Sequence, residues 1–169
     1  FIMGSPLWGT LIGLVDNGQP VLGLADQPFT RERFWAYQGS ARMRAPDGKT
    51  RKLKTRRCSG LAEAVLTSTH PDLFGSPKER AAFARLKALA RLTRYGGDCY
   101  GYCLLAAGFV DIVVEAGLKP HDVAALIPII ESAGGQITTW GNKPALQGGR
   151  ILATGDARVH KEALALLNG

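Results

Sequence analysis

The Asn17-Gly18 pair lies between two apolar segments and is the feature that most constrains how this chain folds. Asparagine followed by glycine is typical of the tight turn of an antiparallel hairpin, because both residues tolerate positive φ angles. The apolar segments 7–15 and 20–25 are therefore predicted to be paired strands. Further strands over 33–37 and 41–45 would extend the hairpin into an antiparallel meander.

The second half of the chain changes from strand patterning to alternating helices and strands. The predicted elements are a strand over 61–67, a helix that begins at Pro77, helices over 98–107, 121–133 and 157–167, and strands over 110–114 and 151–154. This order predicts an α/β fold in the form of a layered α/β sandwich. We expect one continuous fragment of a single enzyme, with an antiparallel-sheet portion over 1–95 and an α/β portion over 96–169.

Composition places the chain among globular proteins. Its 169 residues are 46% apolar, which is enough for the core of one domain. Every apolar run is shorter than the roughly 20 residues that span a bilayer, so we expect no membrane segment. The cysteines are odd in number, which argues against a disulfide framework and favours a reducing cytoplasm. Zinc binding at Cys99 and Cys103 would need further ligands that the spacing does not supply.

A run of basic residues supplies much of the net charge of +7. It consists of Arg42, Lys49, Arg51, Lys52, Lys54, Arg56 and Arg57. Concentrated cations can contact the phosphates of nucleic acids. No aromatic side chain interrupts the run, however, and its alternation around a Pro-Asp-Gly turn favours a solvated hairpin face. We therefore predict no nucleic-acid partner.

Three short stretches carry residues suited to chemistry. The Gly96-Gly97-Asp98 loop would let a ligand approach the backbone and the first turn of the following helix, although a plain strand-to-helix turn explains it too. Glu115 ends a predicted apolar strand and needs a partner if it is buried, which a salt bridge would provide. Asp122 follows Pro120 at a helix start, where it is either a helix cap or a ligand.

The histidines point to no nucleophilic mechanism. His70 and His160 are predicted to lie on the surface. His121 is adjacent to Asp122, but no serine or cysteine is arranged around it as a nucleophile, so a packing role is favoured.

The stretch from Glu115 through Lys119-Pro120-His121-Asp122-Val-Ala-Ala to Glu131-Ser-Ala-Gly-Gly resembles the carboxyl-terminal signature of the inositol monophosphatase-like superfamily. His121 stands where the family usually has tryptophan or tyrosine. Residues 1–14, which begin Phe1-Ile2-Met3, are similar to the strand that follows the family's Asp-Pro-Ile-Asp-Gly-Thr loop. The resemblance implies the family's sandwich, here without its N-terminal helices and metal-loop strands.

The resemblance also implies a metal-dependent phosphatase. It assigns Asp122 as a ligand of catalytic Mg²⁺, with two or three ions expected in the complete enzyme. The other metal-binding and water-activating residues are expected upstream of Phe1, so we expect the chain to begin within a longer protein. One carboxylate cannot hold several octahedral ions, and we expect the fragment alone to be inactive. Family members are commonly homodimers, and we expect the same here.

The substrate follows from the loop residues. The resemblance places the substrate alcohol between Gly96-Gly97-Asp98 and Glu115, with Asp122 holding the ion and the ester. Asp98 stands where inositol phosphatases have a neutral residue. Two nearby carboxylates would favour a cationic alcohol, and this stretch resembles the histidinol-phosphatase branch. We therefore expect hydrolysis of histidinol phosphate in histidine biosynthesis. Alternatives are an inositol-1-monophosphatase, a broad sugar phosphatase, and a non-catalytic binding remnant of the fold.

Overall fold

The hairpin turns have the backbone conformation that their residues favour. A computed structural model describes residue 2 and residues 4–169; the predicted positions of Phe1 and Met3 lie outside the described residues. Asn17 and Gly18 have φ angles of 47° and 76°, and Gln38 and Gly39 have 49° and 72°. These positive values match the right-handed twist of the adjoining strands. The predicted meander is confirmed.

The strands form two five-stranded sheets. The first is antiparallel, in chain order, and consists of β1 (Thr10–Asp16), β2 (Gln19–Gln27), β3 (Glu32–Tyr37), β4 (Ser40–Arg44) and β5 (Thr50–Lys52). The second consists of β6 (Val65–Ser68), β7 (Leu92–Tyr95), β8 (Ile112–Leu118), β9 (Gln136–Thr139) and β10 (Gly149–Thr154), in the order β7-β6-β8-β10-β9. In this sheet β6 is parallel to β7 and β8, whereas β10 is antiparallel to both of its neighbours.

Helices form layers against both sheets. They are α1 (Pro77–Leu89), α2 (Asp98–Ala106), α3 (Pro120–Val123), α4 (Leu126–Ser132) and α5 (Ala157–Asn168). One core lies between the sheets and includes side chains of α2 and α4. A second core lies between the other face of the second sheet and helices α1 and α5. The layered α/β sandwich is therefore confirmed. None of the described helices is long and apolar enough to cross a membrane.

The predicted helix over 121–133 is interrupted, because α3 ends at Val123 and α4 begins at Leu126. The reason lies in the sequence. Pro128 has no N–H to donate to the Ala124 carbonyl four residues earlier, and its ring would clash with that carbonyl. The predicted strand over 61–67 is also shorter than expected, since Leu61–Glu63 form a 3₁₀ turn before β6.

The break between α3 and α4 packs directly on the first sheet. A Cβ atom added to Gly23 in β2 would lie 1.9 Å from the Ala125 carbonyl oxygen. One added to Gly13 in β1 would lie 2.9 Å from the Ala124 carbonyl carbon. Such approaches are possible only for glycine, because any side chain would meet backbone. The two glycines therefore fix the position of the segment that follows Asp122.

The last helix contains a buried histidine, so the predicted surface position of His160 is wrong. Its side chain is buried against strands β9 and β10. Nε2 lies 3.0 Å from Thr138 Oγ1 of β9, and Nδ1 lies 2.9 Å from Thr154 Oγ1 of β10. Burial lowers the pKa of His160. Two hydroxyl partners satisfy a neutral imidazole, which explains how this polar group is tolerated in the interior.

We expect Gly23→Ala to lower the free energy of unfolding by about 2–3 kcal/mol, because the new methyl group overlaps backbone that cannot move independently. Urea denaturation measures this change. Gly75→Ala is the matched control: a Cβ at Gly75 meets nothing within 4 Å, and its effect should stay within about 0.5 kcal/mol. Equal stability of the two variants would contradict the close approach of β2 to Ala125.

Candidate active site

The candidate residues gather where the parallel strands of the second sheet end. β6 and β7 run in register to Ser68 and Tyr95. The Gly96 amide then donates to the carbonyl oxygens of Ser68 and Thr69, at 3.2 and 2.9 Å. Loops at the carboxyl ends of parallel strands are where open α/β sheets usually bind ligands. The position of the Gly96-Gly97-Asp98 loop is therefore suited to a binding site.

The loop has a conformation that its residues make possible. Gly96 has a φ angle of 88° and Asp98 one of 45°; aspartate is one of the few side-chain-bearing residues that adopt such values readily. A Cβ on Gly97 would lie 3.2 Å from the Cα atom of Gly101, so the loop and the first turn of α2 are tightly packed. The exposed Asp98 carboxylate accepts a hydrogen bond from the Cys99 amide at 2.9 Å.

Glu115 is buried within β8, which continues to Leu118 and does not end at the glutamate as predicted. Only 2% of its surface is exposed. Its Oε1 accepts hydrogen bonds from the Thr69 amide, at 3.0 Å, and the Thr69 hydroxyl, and its Oε2 accepts one from the Tyr102 hydroxyl at 3.3 Å. Within the described part of the chain no cation pairs with it, so the predicted salt bridge is wrong.

The surroundings of Glu115 make its negative charge unfavourable. Burial is the main reason that the pKa of Glu115 is raised; the hydrogen bonds from Thr69 and Tyr102 act in the opposite direction. The negative charge of Asp98 raises the pKa further, so the two carboxylates lie close enough to repel each other. The structure links the two carboxylates through α2, since Asp98 begins this helix and Tyr102, one turn later, donates its hydroxyl to Glu115.

The Tyr102 hydroxyl donates a hydrogen bond to Glu115 and is also influenced by the charges of Asp122 and Asp98. The side chain is buried, and the pKa of Tyr102 is raised well above its usual range by burial and then by the charges of Glu115, Asp122 and Asp98. Sequence reasoning missed Tyr102 and Thr69. Tyr102 lies four residues after Asp98 on the same helix, and that spacing could have identified it. Thr69 could not be identified, because its contact with Glu115 requires the pairing of β6 and β8.

Asp122 stands in the first turn of α3, as predicted. Its Oδ2 accepts a hydrogen bond from the Lys119 amide at 2.7 Å, so the helix-cap role is confirmed. Its side chain is 40% exposed, and Oδ1 lies 3.7 Å from His121 Nε2. The imidazole of His121 is itself 81% exposed, so the predicted packing role for it is wrong. One carboxylate oxygen of Asp122 thus accepts a hydrogen bond from the backbone, and the other lies beside the exposed imidazole of His121.

The fit of this arrangement to Mg²⁺ rests on Asp122. Magnesium prefers hard oxygen ligands in an octahedral shell that often includes water and substrate phosphate. Oδ1 of Asp122 is a suitable donor, and the Lys119 amide fixes the orientation of the carboxylate. No group of three or more His, Cys, Asp or Glu side chains among residues 2 and 4–169 is arranged to hold a metal ion. The described residues therefore fit one part of the ligand shell of a magnesium site.

Comparison with known proteins identifies the class of protein to which the chain belongs. The fold matches the solved structure of an inositol monophosphatase from Zymomonas mobilis with a TM-score of 0.87 and 39% identity, over 100% of this chain and 66% of that one. The chain thus has the layered α/β fold of that phosphatase. The sequence model of the inositol monophosphatase family matches residues 1–168, and the chain belongs to that family.

Two curated relatives that match nearly the whole chain are named as phosphatases. The chain is 43% identical to the chloroplastic bifunctional phosphatase IMPL2 of Arabidopsis thaliana, over 99% of this chain and 49% of that protein. It is 32% identical to a histidinol-phosphatase of Mycobacterium tuberculosis, over 99% of this chain and 65% of that protein. The chain therefore spans about half to two thirds of the curated relatives that it matches.

The burial of Glu115 predicts a specific pH dependence. Its folded pKa lies above its ordinary value of 4.5, so the contribution of Glu115 to stability is fully present below pH 4.5 and is lost as the pH rises through the folded pKa. Glu115→Gln removes this titration. We expect the stability of the variant relative to the parent to increase from pH 4.5 to pH 8, by about 1.4 kcal/mol for each unit of pKa shift.

Urea denaturation of both proteins across this pH range, in metal-free buffer, measures the difference. Glu63→Gln is the matched control, because the Glu63 side chain is 63% exposed, and the pH dependence found for Glu115→Gln should exceed that of this variant. A difference for Glu115→Gln that is constant over the range would show that the carboxylate is not destabilised by burial.

Proposed function

We propose that the complete protein hydrolyses histidinol phosphate to histidinol and phosphate in a Mg²⁺-dependent reaction of histidine biosynthesis. One observation carries this proposal: Asp98 and Glu115, two carboxylates without a cationic partner in the described part of the chain, are linked through Tyr102, which lies one turn after Asp98 on α2 and donates its hydroxyl to Glu115. A substrate alcohol that bears a positive charge would relieve the repulsion between the two carboxylates.

Histidinol phosphate has the required chemistry, since its alcohol portion carries an ammonium group and a titratable imidazole. We expect the exposed Asp98 carboxylate to contact the ammonium directly. Glu115 is buried, so its contribution is expected to come from its negative charge at short range and from holding Thr69 and α2 around the loop. Inositol is a neutral polyol and gains nothing from this field. The carboxylate pair therefore favours the cationic substrate.

Mg²⁺, when bound, would activate a water molecule and neutralise charge on the phosphate. The Asp122 carboxylate would hold the ion through Oδ1, and the Lys119 amide keeps that carboxylate oriented. The Gly96-Gly97-Asp98 loop would orient the alcohol. The chain's own residues thus supply alignment and charge selection. We place the complete protein in the cytoplasm as a homodimer, in line with our expectation from the family.

The relatives support this proposal and also define an alternative. Besides the Mycobacterium protein, two relatives with 30% and 29% identity are named histidinol-phosphatase. A relative from Caulobacter vibrioides with 28% identity is named inositol-1-monophosphatase, and the Zymomonas structure at 39% identity is of an inositol monophosphatase. Inositol-1-phosphate is therefore the second candidate substrate. The charge of the loop favours histidinol phosphate, because Asp98 adds a carboxylate beside Glu115.

Asp98→Asn tests the proposal, because asparagine tolerates the positive φ angle of this position and removes only the charge. We expect the ratio of kcat/KM for histidinol phosphate to kcat/KM for inositol 1-phosphate to fall about ten- to a hundredfold, as a charge-assisted hydrogen bond contributes about 1.5–3 kcal/mol. Phosphate release by the complete protein with Mg²⁺ measures both values.

Asp16→Asn is the matched control, since Asp16 is an exposed residue of the β1–β2 hairpin, and it should leave the ratio unchanged. An unchanged ratio in Asp98→Asn would refute the selection of a cationic alcohol. Loss of both activities to the same extent would give Asp98 a general role and no role in selectivity. An absence of Mg²⁺-dependent phosphate release from the parent protein would refute the phosphatase proposal itself.

A further inference from the structure

The basic run of the sequence divides into two parts in the structure. Its first part lies along β4 and β5 and is exposed, as predicted for a hairpin face. Arg56 and Arg57 leave the hairpin and line a concave pocket of about 470 Å³ together with Arg91 and Arg158. Four arginines from three separate regions of the chain therefore line one cavity, which is a feature that the phosphatase site does not explain.

Two of these arginines are held in place by buried carboxylates. Arg56 makes a two-point ion pair with Asp111, in which Nε lies 2.7 Å from Oδ1, and the Asp111 side chain is 1% exposed. Arg158 makes a similar pair with Asp156 at 2.8 Å, and the Asp156 side chain is 11% exposed. A guanidinium has five N–H donors. Each pair fixes one edge of the group and leaves the remaining donors available to a ligand.

The other two arginines have little or no compensation. Arg57 has no ion pair with any described residue. Arg91 lies 3.9 Å from Glu63, and both side chains are more than 60% exposed; such a pair is weak. Among the described residues, Glu63 is the one carboxylate that lines the cavity. Asp111, Asp156, Glu63 and Glu162 together balance the charge of the four arginines, so what the cavity offers an anion is the set of hydrogen-bond donors on Arg57 and Arg91 that no described residue uses.

The pocket is separate from the candidate active site. The Val65 amide, at the start of β6, donates to Asp111 beneath the arginines, at 2.7 Å. The loop that contacts Glu115 follows Ser68 at the other end of the same strand. A strand rises about 3.3 Å per residue, which puts about 10 Å between the two ends of β6. The pocket thus lies at the amino-terminal end of β6, and the candidate active site lies at its carboxyl-terminal end.

We propose that this arginine pocket is a second anion site, which binds a small ligand through a phosphate group. Planar guanidinium groups match the oxygen geometry of phosphate and can each donate two parallel hydrogen bonds. The ordered Arg56 and Arg158 would position the phosphate, and Arg57 and Arg91 would close on it. The pocket is large enough for a phosphate and a small organic group. Inorganic phosphate and a phosphate monoester share the chemistry that it recognises.

Calorimetric titration of the complete protein with inorganic phosphate tests this site. A chelator is present throughout, so that metal-dependent binding at the active site does not contribute. The test variant is Arg57→Gln/Arg91→Gln, which alters the two arginines that the fold does not use. We expect its Kd for phosphate to be at least tenfold higher than that of the parent protein. Arg33→Gln/Arg44→Gln, on adjacent strands of the first sheet, is the matched control and should bind as the parent does.

Two further titrations separate the possible ligands. Glycerol 2-phosphate that binds more tightly than inorganic phosphate would identify a monoester site, and the reverse order would identify a site for the free anion. Equal phosphate affinity in the parent and in Arg57→Gln/Arg91→Gln would overturn the proposal. So would equal competition by chloride at the same ionic strength, because the arginines would then provide only a diffuse positive potential. None of these outcomes depends on which substrate the phosphatase site accepts.

Discussion

The close approach of the first sheet to the segment between α3 and α4 is the constraint on which the rest of the structure depends. Gly13 and Gly23 remove the side chains that would keep the Ala124–Ala125 backbone away. Pro128, in the first turn of α4, has no N–H to donate to the Ala124 carbonyl, and the helix is therefore interrupted at Ala124–Ala125, where the backbone turns toward the sheet. Asp122 lies immediately before this contact. The first, antiparallel sheet therefore helps to fix the position of Asp122, which belongs to the α/β half of the chain.

The second constraint is the cost of burying a carboxylate. Glu115 is held by neutral donors from Thr69 and Tyr102, which satisfy its oxygens and leave its charge uncompensated. A hydrophobic side chain at this position of β8 would pack without that cost. Groups whose pKa is shifted by burial and by a neighbouring charge often mark functional sites. The exposed carboxylate of Asp98 supports a site for a positively charged ligand, because both carboxylates favour a cation.

The sequence predicted local features better than tertiary ones. Asn17-Gly18 specified the first hairpin, and Pro120 with Asp122 specified a helix start, because each depends on neighbouring residues alone. The partners of Glu115 and the burial of His160 were predicted incorrectly. Thr69 lies 46 residues before Glu115, and the pairing of β6 with β8 brings them together. The threonines that enclose His160 come from β9 and β10. Such contacts arise from sheet order, which local patterns do not encode.

The central claim is that Oδ1 of Asp122 is one ligand of a divalent-cation site in the complete protein. Its partner oxygen is already fixed by the Lys119 amide, so the carboxylate needs little rearrangement to receive an ion. The most direct measurement is anomalous diffraction from crystals of the complete protein soaked in Mn²⁺. The account predicts an anomalous peak in contact with Asp122 Oδ1. Bound Mn²⁺ that is found only at other residues, or no peak at all, would contradict it.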